Sequence, residues 1–256
     1  MSEMQDKIVI VTGASSGIGR ATALKFASQG ARVALVARSG DKLADVAQTI
    51  TDAGGEAMAL VADVTDAAQV QRVVRETAAA WGGIDVLVNA AGIIALGTIE
   101  STSLPDWDYM MNLNARAPFY LMQCAMPHLV QRGGNVVNVS SVTGVRAFPG
   151  VLAYCASKAA VDQLTHCAAL EMASQGVRVN AVNPGVVVTQ LHRSGGMDEQ
   201  AYAAFLEHSK TTHPLGRVGQ PEEVAELIYF LASPQAGWIT GVSVPIDGGR
   251  AQTCAR

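Results

Sequence analysis

An α/β fold, doubly wound on a seven-stranded and mainly parallel sheet with helices on both faces, is what this sequence predicts, on three observations. Short apolar runs rich in valine alternate with longer stretches of helical periodicity, the order in which parallel strands are joined by helical crossovers. Hydrophobic residues make up 49% of the 256 and charged ones 16%, with a mean hydropathy of +0.23, as expected of strands buried on both faces. The first strand candidate ends in a glycine-rich turn that opens a helix.

In chain order, strands are expected at KIVIVTG (7–13), ARVALVA (31–37), EAMALVA (56–62), IDVLVNA (84–90), GNVVNVS (134–140), VRVNAVN (177–183) and GVSVPID (241–247). Each run has the length and β-branched content of a buried strand. Helical periodicity occupies 17–29, 40–53, 66–81, 113–132, 153–175 and 221–232. Right-handed crossovers between parallel strands then put helices on both faces. Two segments break the rhythm: a loop at 92–106, and a long stretch at 184–220 that carries a short helix, AYAAFLEHSK. Long insertions after the C-terminal ends of parallel strands are where such sheets bind ligands, so about 189–213 is read as a substrate lid. With no fixed-period repeat and no linker, residues 1–256 read as one domain.

The turn VTGASSGIGRATALKFASQG places Gly13, Gly17 and Gly19 where the backbone must bend sharply and approach a ligand. The helix beginning near Gly17 points free N–H groups and its positive dipole end into that turn, an arrangement suited to a pyrophosphate. The second strand ends in Ala37, Arg38 and Ser39, without the carboxylate that favours a ribose 2′-hydroxyl. A guanidinium there suits a 2′-phosphate, so NADP(H) is expected over NAD(H), the alternative being a solvated surface arginine.

In LAYCASKAAVDQL (152–164), Tyr154 and Lys158 stand one helical turn apart on one face. An ammonium beside a phenol favours the phenolate. Tyrosine ionises near pH 10, so acid–base work near neutrality needs a drop of about three pH units, or about 4 kcal/mol. The competing reading is a core tyrosine next to a surface lysine.

With TGASSGIG at 12–19, NAAG at 89–92, a serine thirteen residues before YCASK, and NPGVVVT at 183–189, the chain resembles the short-chain dehydrogenase/reductase family over essentially its whole length. The resemblance implies a Rossmann-type dinucleotide fold and hydride transfer between nicotinamide and a ketone or secondary alcohol. It implies Tyr154 as acid/base, Lys158 as its electrostatic activator and ribose ligand, and Ser141 as the donor that orients the substrate oxygen. Ser140 is adjacent, and the thirteen-residue offset favours Ser141. Asn114 resembles the asparagine that anchors a water relay, with Asn112 a competing candidate. For the cofactor it implies the turn Gly13, Ser15, Ser16, Gly17, Ile18 and Gly19. Further contacts are Arg38 and Ser39, Asp63 and Val64 at the adenine, and Asn89, Ala90 and Gly92 along the adenosine side. Pro184, Gly185, Val187 and Thr189 fall at the nicotinamide. Asn89 has the equal alternative of bracing the sheet. A homotetramer is implied in the same way, the helices at 113–132 and 153–175 pairing across a dimer axis and the C-terminal strand building a second interface.

The substrate is less legible. The pocket candidates Ile93, Ile94, Val145, Phe148, Leu152, Val186 and Leu191 are mostly apolar, with Arg146 and His192 the polar additions. They favour a small-molecule ketone or alcohol with a hydrocarbon body. Among look-alikes, 3-oxoacyl carrier-protein reductases would need basic residues for an acidic carrier. Arg132 matches one such position, Gln175 stands at the other, and Arg178 is a nearby substitute. Carrier-linked reduction therefore ranks below reduction of a free carbonyl or a CoA-linked one, and a 3-oxoacyl-carrier-protein or CoA reductase stands as the alternative reading. A non-catalytic dinucleotide sensor or scaffold is the alternative of another class.

A net charge of −4 supplies no broad basic field for nucleic acid or anionic membrane. Cys124, Cys155, Cys167 and Cys254 lie far apart, and His128, His166, His192, His208 and His213 share no ligand spacing, so no metal is expected. Scattered, mostly buried thiols, a polar N-terminus and the lack of a membrane-length apolar run lead to the expectation of a cytoplasmic protein.

Overall fold

Strands and helices alternate along the chain, and their hydrogen bonds join the strands into one sheet. The structure, a computed structural model, describes residues 3–253, the side chains of His192 and Ser194 apart. The strands are β1 (Ile8–Thr12), β2 (Arg32–Ala37), β3 (Glu56–Val61), β4 (Val86–Asn89), β5 (Asn135–Val139), β6 (Arg178–Pro184) and β7 (Ser243–Ile246). They lie in the order β3-β2-β1-β4-β5-β6-β7, and every neighbouring pair is parallel. The helices are α1 (Gly17–Ser28), α2 (Gly40–Asp52), α3 (Ala67–Trp81), α4 (Leu104–Met111), α5 (Ala117–Arg132), α6 (Val142–Val145), α7 (Leu152–Met172), α8 (Leu191–Ser194), α9 (Glu199–Thr212) and α10 (Pro221–Ala232).

Alternation along each strand divides the core in two. Val9, Val11, Val33, Leu35, Val86 and Val88 face α1, α2 and α10, whereas Ile10, Ala34, Val36, Leu87 and Val136 face α3, α5 and α7. All five residues of β1 are buried. Burying a valine, leucine or isoleucine side chain in such a layer contributes about 1.5–3 kcal/mol.

Two helices correct the expected loop and the expected helix start. Residues 92–106 do not run as a loop to their end: α4 begins at Leu104, with Pro105 in its first turn and Ser103 capping the backbone N–H of Asp106. The helix expected at 113–132 is α5 from Ala117 onward, its first residues belonging instead to a π-helical turn (Asn112–Arg116) that links α4 to α5. Ser103, Pro105 and Asp106 together form a helix start signal. Thr12 joins the two strands at the centre of the sheet: its Oγ1 accepts from the N–H groups of Ala90 and Ala91 at 3.0 and 3.1 Å. That bond fixes the crevice beyond β1 and β4, where the winding direction reverses and ligands bind in sheets of this kind.

Candidate active site

A cleft of about 600 Å³ opens along that crevice. Its near end is the turn after β1. Gly13 and Gly17 hold φ of +68° and +52°, which side chains disfavour. A Cβ on Gly13 would meet the Ala90 carbonyl oxygen at 2.8 Å, and one on Gly19 would run into the Gly13 carbonyl. The Ser16 side chain does not cap α1, so the first N–H groups of the helix are left to face the cleft. Ser15, Ser16, Ile18, Asp63, Val64 and Ala90 line the same space, as do Arg38 and Ser39. Asp63 is held in place by its own turn, its Oδ1 accepting from the N–H and hydroxyl of Thr65 at 2.9 and 2.7 Å. The residues present therefore fit a dinucleotide, with the glycine cradle on its pyrophosphate.

At the far end stand Ser141, Tyr154, Lys158, Pro184, Gly185, Val187 and Thr189. Ser141 caps α6, its Oγ accepting from the Thr143 N–H at 3.1 Å. Its hydroxyl proton remains for another acceptor. Lys158 donates to the Val139 carbonyl at 2.8 Å and lies 5.7 Å from the Tyr154 ring centroid. Both side chains are nearly covered, at 6% and 5% exposure.

That burial changes the electrostatics expected from the spacing alone. Burial pushes the Tyr154 phenol up to about 12, opposed by its hydrogen bond with Ser141 and reinforced by Cys155. Burial also pushes Lys158 down to about 8, against the pull of the Asp162 charge. Lys158 does not draw the phenol below its ordinary value: desolvation dominates, and Tyr154 is a proton donor across the neutral range.

The two asparagine candidates separate clearly. Asn114, 1% exposed in the π-helical turn, accepts from the Ile93 N–H at 2.9 Å and donates to the Ile93 carbonyl and Ser157 Oγ at 2.9 and 3.0 Å. A Cβ on Gly92 would fall 3.2 Å from Asn114 Oδ1 and 3.5 Å from Lys158 Nζ, so the amide and the ammonium are near neighbours. Asn112 instead accepts from Arg116 at 2.9 Å. Ser140 donates to the Lys158 carbonyl at 3.1 Å and so braces α7. Asn89 does not present its amide to the cleft; it is 2% exposed and donates to Asn138 Oδ1 at 2.8 Å, the sheet-bracing alternative.

Of the pocket candidates, Ile93 and Leu191 line the cleft. Ile94 packs with Trp107 and Val151 against Tyr154. Val145 is 56% exposed, and Arg146 is engaged with the C-terminal segment through the carbonyls of Arg250 and Ala251. His192 and Cys254 lie outside the described side chains. Of the other thiols, Cys167 is exposed rather than buried.

Neither arginine considered for carrier docking is free. Arg132 bonds the buried Asp85 carboxylate at 3.1 Å, shared with Lys7 and the Ile8 N–H. Arg178 donates to the carbonyls of Leu231, Ile239, Ala232 and Ser233. Both stand at the N-terminal edge of the sheet, opposite the cleft in this chain.

Sequence reasoning missed three participants. Lys42 lines the cleft one turn beyond Arg38. Tyr202 of α9, 2% exposed, donates to the Thr189 carbonyl at 3.0 Å. His213 accepts at Nε2 from the Val186 N–H at 3.1 Å and bonds the Ser209 carbonyl through Nδ1 at 2.6 Å. The four-residue interval from Arg38 to Lys42 was a readable signal; Tyr202 and His213 had none beyond their place in a long insertion.

A glycine cradle at the reversal of a doubly wound sheet, with a buried tyrosine, serine and lysine at its far end, defines a dinucleotide-binding oxidoreductase. Comparison with known proteins gives the family. The family model described as enoyl-(acyl carrier protein) reductase matches residues 13–251. A 3-oxoacyl-(acyl-carrier-protein) reductase of Thermotoga maritima is 40% identical, covering 96% of this chain and 98% of its own. A 2,5-dichloro-2,5-cyclohexadiene-1,4-diol dehydrogenase of Sphingobium indicum is 37% identical, with 97% of each chain covered. A crystal structure of a short-chain dehydrogenase/reductase of unknown function from Caenorhabditis elegans, with cofactor, superimposes with a TM-score of 0.93 at 36% identity, covering 99% of this chain and 98% of that one. The chain belongs to the short-chain dehydrogenase/reductase family: it is an oxidoreductase of alcohol and carbonyl groups that uses a nicotinamide dinucleotide.

Proposed function

We propose that the chain is an NADP(H)-dependent carbonyl reductase, acting on a ketone with an apolar body. The observation that carries this reading is Tyr154: a buried phenol, its proton affinity raised by burial, hydrogen-bonded with Ser141 at the end of the cleft away from the glycine turn. Held by the glycine turn and the residues from Pro184 to Thr189, a nicotinamide dinucleotide would supply the hydride. Tyr154 donates its phenolic proton to the carbonyl oxygen, and Ser141 directs its hydroxyl at the same atom, where negative charge develops. Lys158 stabilises the phenolate that remains and has donors free for the ribose beyond its bond to Val139. Asn114 fixes the loop at Ile93 beside Lys158, on the path by which solvent returns the proton. In the sum, one hydride and one proton convert ketone to alcohol.

Arg38, Ser39 and Lys42 support the choice of NADP(H): two cations on one turn of chain line the adenosine end, and no carboxylate stands at the end of β2. The apolar group Ile93, Ile94, Ala95, Trp107 and Val151 around Tyr154 supports a hydrocarbon substrate body. Residues 189–213, fastened by Tyr202 and His213, act as the lid of this single domain. The free thiols of Cys124, Cys155 and Cys167 fit a reducing, cytoplasmic compartment, and exposed apolar residues on α5 and α7 fit a homotetramer. A second reading, reduction of 3-oxoacyl thioesters, is favoured by the name of the Thermotoga relative. The engagement of Arg132 and Arg178 weighs toward the CoA thioester over the carrier-bound one.

The test is NADPH and NADH consumption with aromatic, aliphatic and 3-oxoacyl ketones, wild type against Tyr154→Phe. Wild type should turn over at least one ketone class, and the variant should lose about a hundredfold to ten-thousandfold in kcat, the contribution of a general acid. Tight NADPH binding with no turnover on any ketone would favour the sensor instead.

A further inference from the structure

Tyr154, Lys158, Asp162 and His166 follow one another along α7 at intervals of four residues. The proposed reaction uses the first two. Asp162 is as buried as they are, at 5% exposure, yet no arginine or lysine bonds its carboxylate among the described residues. Its Oδ2 accepts from Asn183 Nδ2 at 2.9 Å and its Oδ1 from Ser243 Oγ at 3.0 Å. Asn183, fully buried, donates through the same nitrogen to the Ser141 carbonyl at 3.0 Å. Gly144 covers the carboxylate so closely that any Cβ there would collide with Oδ2. A carboxylate taken into the core on two neutral donors is costly unless a nearby charge compensates it. That charge is Lys158, one turn away.

We propose that Asp162 is a positioning residue for the reaction: its charge holds Lys158 in the ammonium form, and through Asn183 it fixes the turn that carries Ser141. The proposal rests on the reading of Ser141, Tyr154 and Lys158 given above. The titratable groups facing Asp162 are Lys158 and His166, the latter reached through Ser243 at 3.4 Å. Among the described residues, its recorded neighbours from other elements are neutral: Asn183 of β6, Ser243 of β7 and Gly144 of α6. Burial pushes Lys158 down and Asp162 opposes it, so loss of the carboxylate charge drives the ammonium further toward the neutral amine. That moves the alkaline limit of ketone reduction, which depends on the ammonium, to lower pH.

Asp162→Asn tests the charge alone. The new amide oxygen can accept from Asn183, and its NH₂ can donate to the Ser243 hydroxyl, which accepts as readily as it donates. The alkaline limb of kcat/KM for NADPH-driven reduction should move down by about one pH unit. In full-length protein labelled with [ε-¹³C]lysine, the Lys158 titration midpoint should move down with it. Asp162→Ser, smaller and neutral, should do the same if the amide is not accommodated. Unmoved limb and midpoint, with Tyr154→Phe inactive, would overturn the role of Asp162 and leave the catalytic reading intact. Full activity of Tyr154→Phe would instead remove the catalytic reading and this role with it. Failure of both neutral variants to fold would also count against the proposal, which requires a chain that folds without that charge.

Discussion

Arg38 and Tyr154 sit at opposite ends of one cleft and in opposite dielectric surroundings. Arg38 is exposed and spends one donor on Tyr109, its Nη1 lying 3.1 Å from the phenolic oxygen. If the cofactor is NADP(H), as proposed, its remaining donors, with Lys42 one turn away, would meet the 2′-phosphate in partial contact with water, where charge pairing is screened. A hydrogen bond to a charged group contributes about 1.5–3 kcal/mol. Arg38→Asp should therefore lower kcat/KM with NADPH by about thirtyfold or more while changing that with NADH by less than about threefold. Equal losses with both cofactors would take Arg38 out of this role. Tyr154 differs because water is excluded. Its spacing from Lys158 was plain in the sequence, since an i,i+4 pair needs only a helix, and so were the glycines that only a tight turn explains. The direction of its proton affinity was not, because desolvation depends on what the rest of the chain lays over the ring. Asp162 was overlooked for a similar reason: its partners Asn183 and Ser243 come from β6 and β7, and no local pattern announces them.

At the scale of elements, strands were legible to within two residues at each end: the five inner runs are buried, and the half-exposed edge strands β3 and β7 keep enough apolar residues to stand out. Irregular elements were not. The π-helical turn at Asn112–Arg116 has no periodicity of its own, and it decides which asparagine faces Lys158. The same holds for α9, whose sequence predicted a helix but not its attachment. That attachment is His213, which ties the end of α9 to the Pro184–Gly185 turn. With Nδ1 given to the Ser209 carbonyl, Nε2 must be bare to accept from Val186, so the ring is neutral. Burial holds the imidazole below its ordinary value, helped by Arg250 and opposed by the Ser209 bond and Asp247. The unfolded chain thus takes up this proton first. The stabilisation is complete above about pH 6.5 and declines as pH falls below it, until the folded imidazole itself protonates and releases Val186. His213→Gln keeps an acceptor that does not titrate. Thermal unfolding followed from pH 7.5 to 5 should show a smaller loss of Tm in the variant than in wild type, and parallel curves would remove His213 from the account.

For the whole molecule, two apolar layers close around the sheet and leave a residue of apolar surface that one chain does not use. Phe119 on α5 and Leu170 on α7 are 46% and 83% exposed, and Trp238, before β7, is fully exposed. β7 pairs with β6 alone and leaves its other edge open. Open edges and clustered apolar residues are features that soluble chains normally cover. One contact through the faces of α5 and α7 and a second along the open β7 edge would cover both. Two distinct isologous contacts on one chain build a tetramer of dihedral symmetry. The open alternatives are a monomer that tolerates the exposed residues or a dimer that covers one area. Light scattering on the purified protein should give a mass four times 26.6 kDa. Leu170→Asp should divide it into dimers by placing a carboxylate where apolar side chains meet. A wild-type monomer at micromolar concentration would show that these surfaces serve something other than self-association. A tetramer indifferent to Leu170→Asp would move the contact off α7.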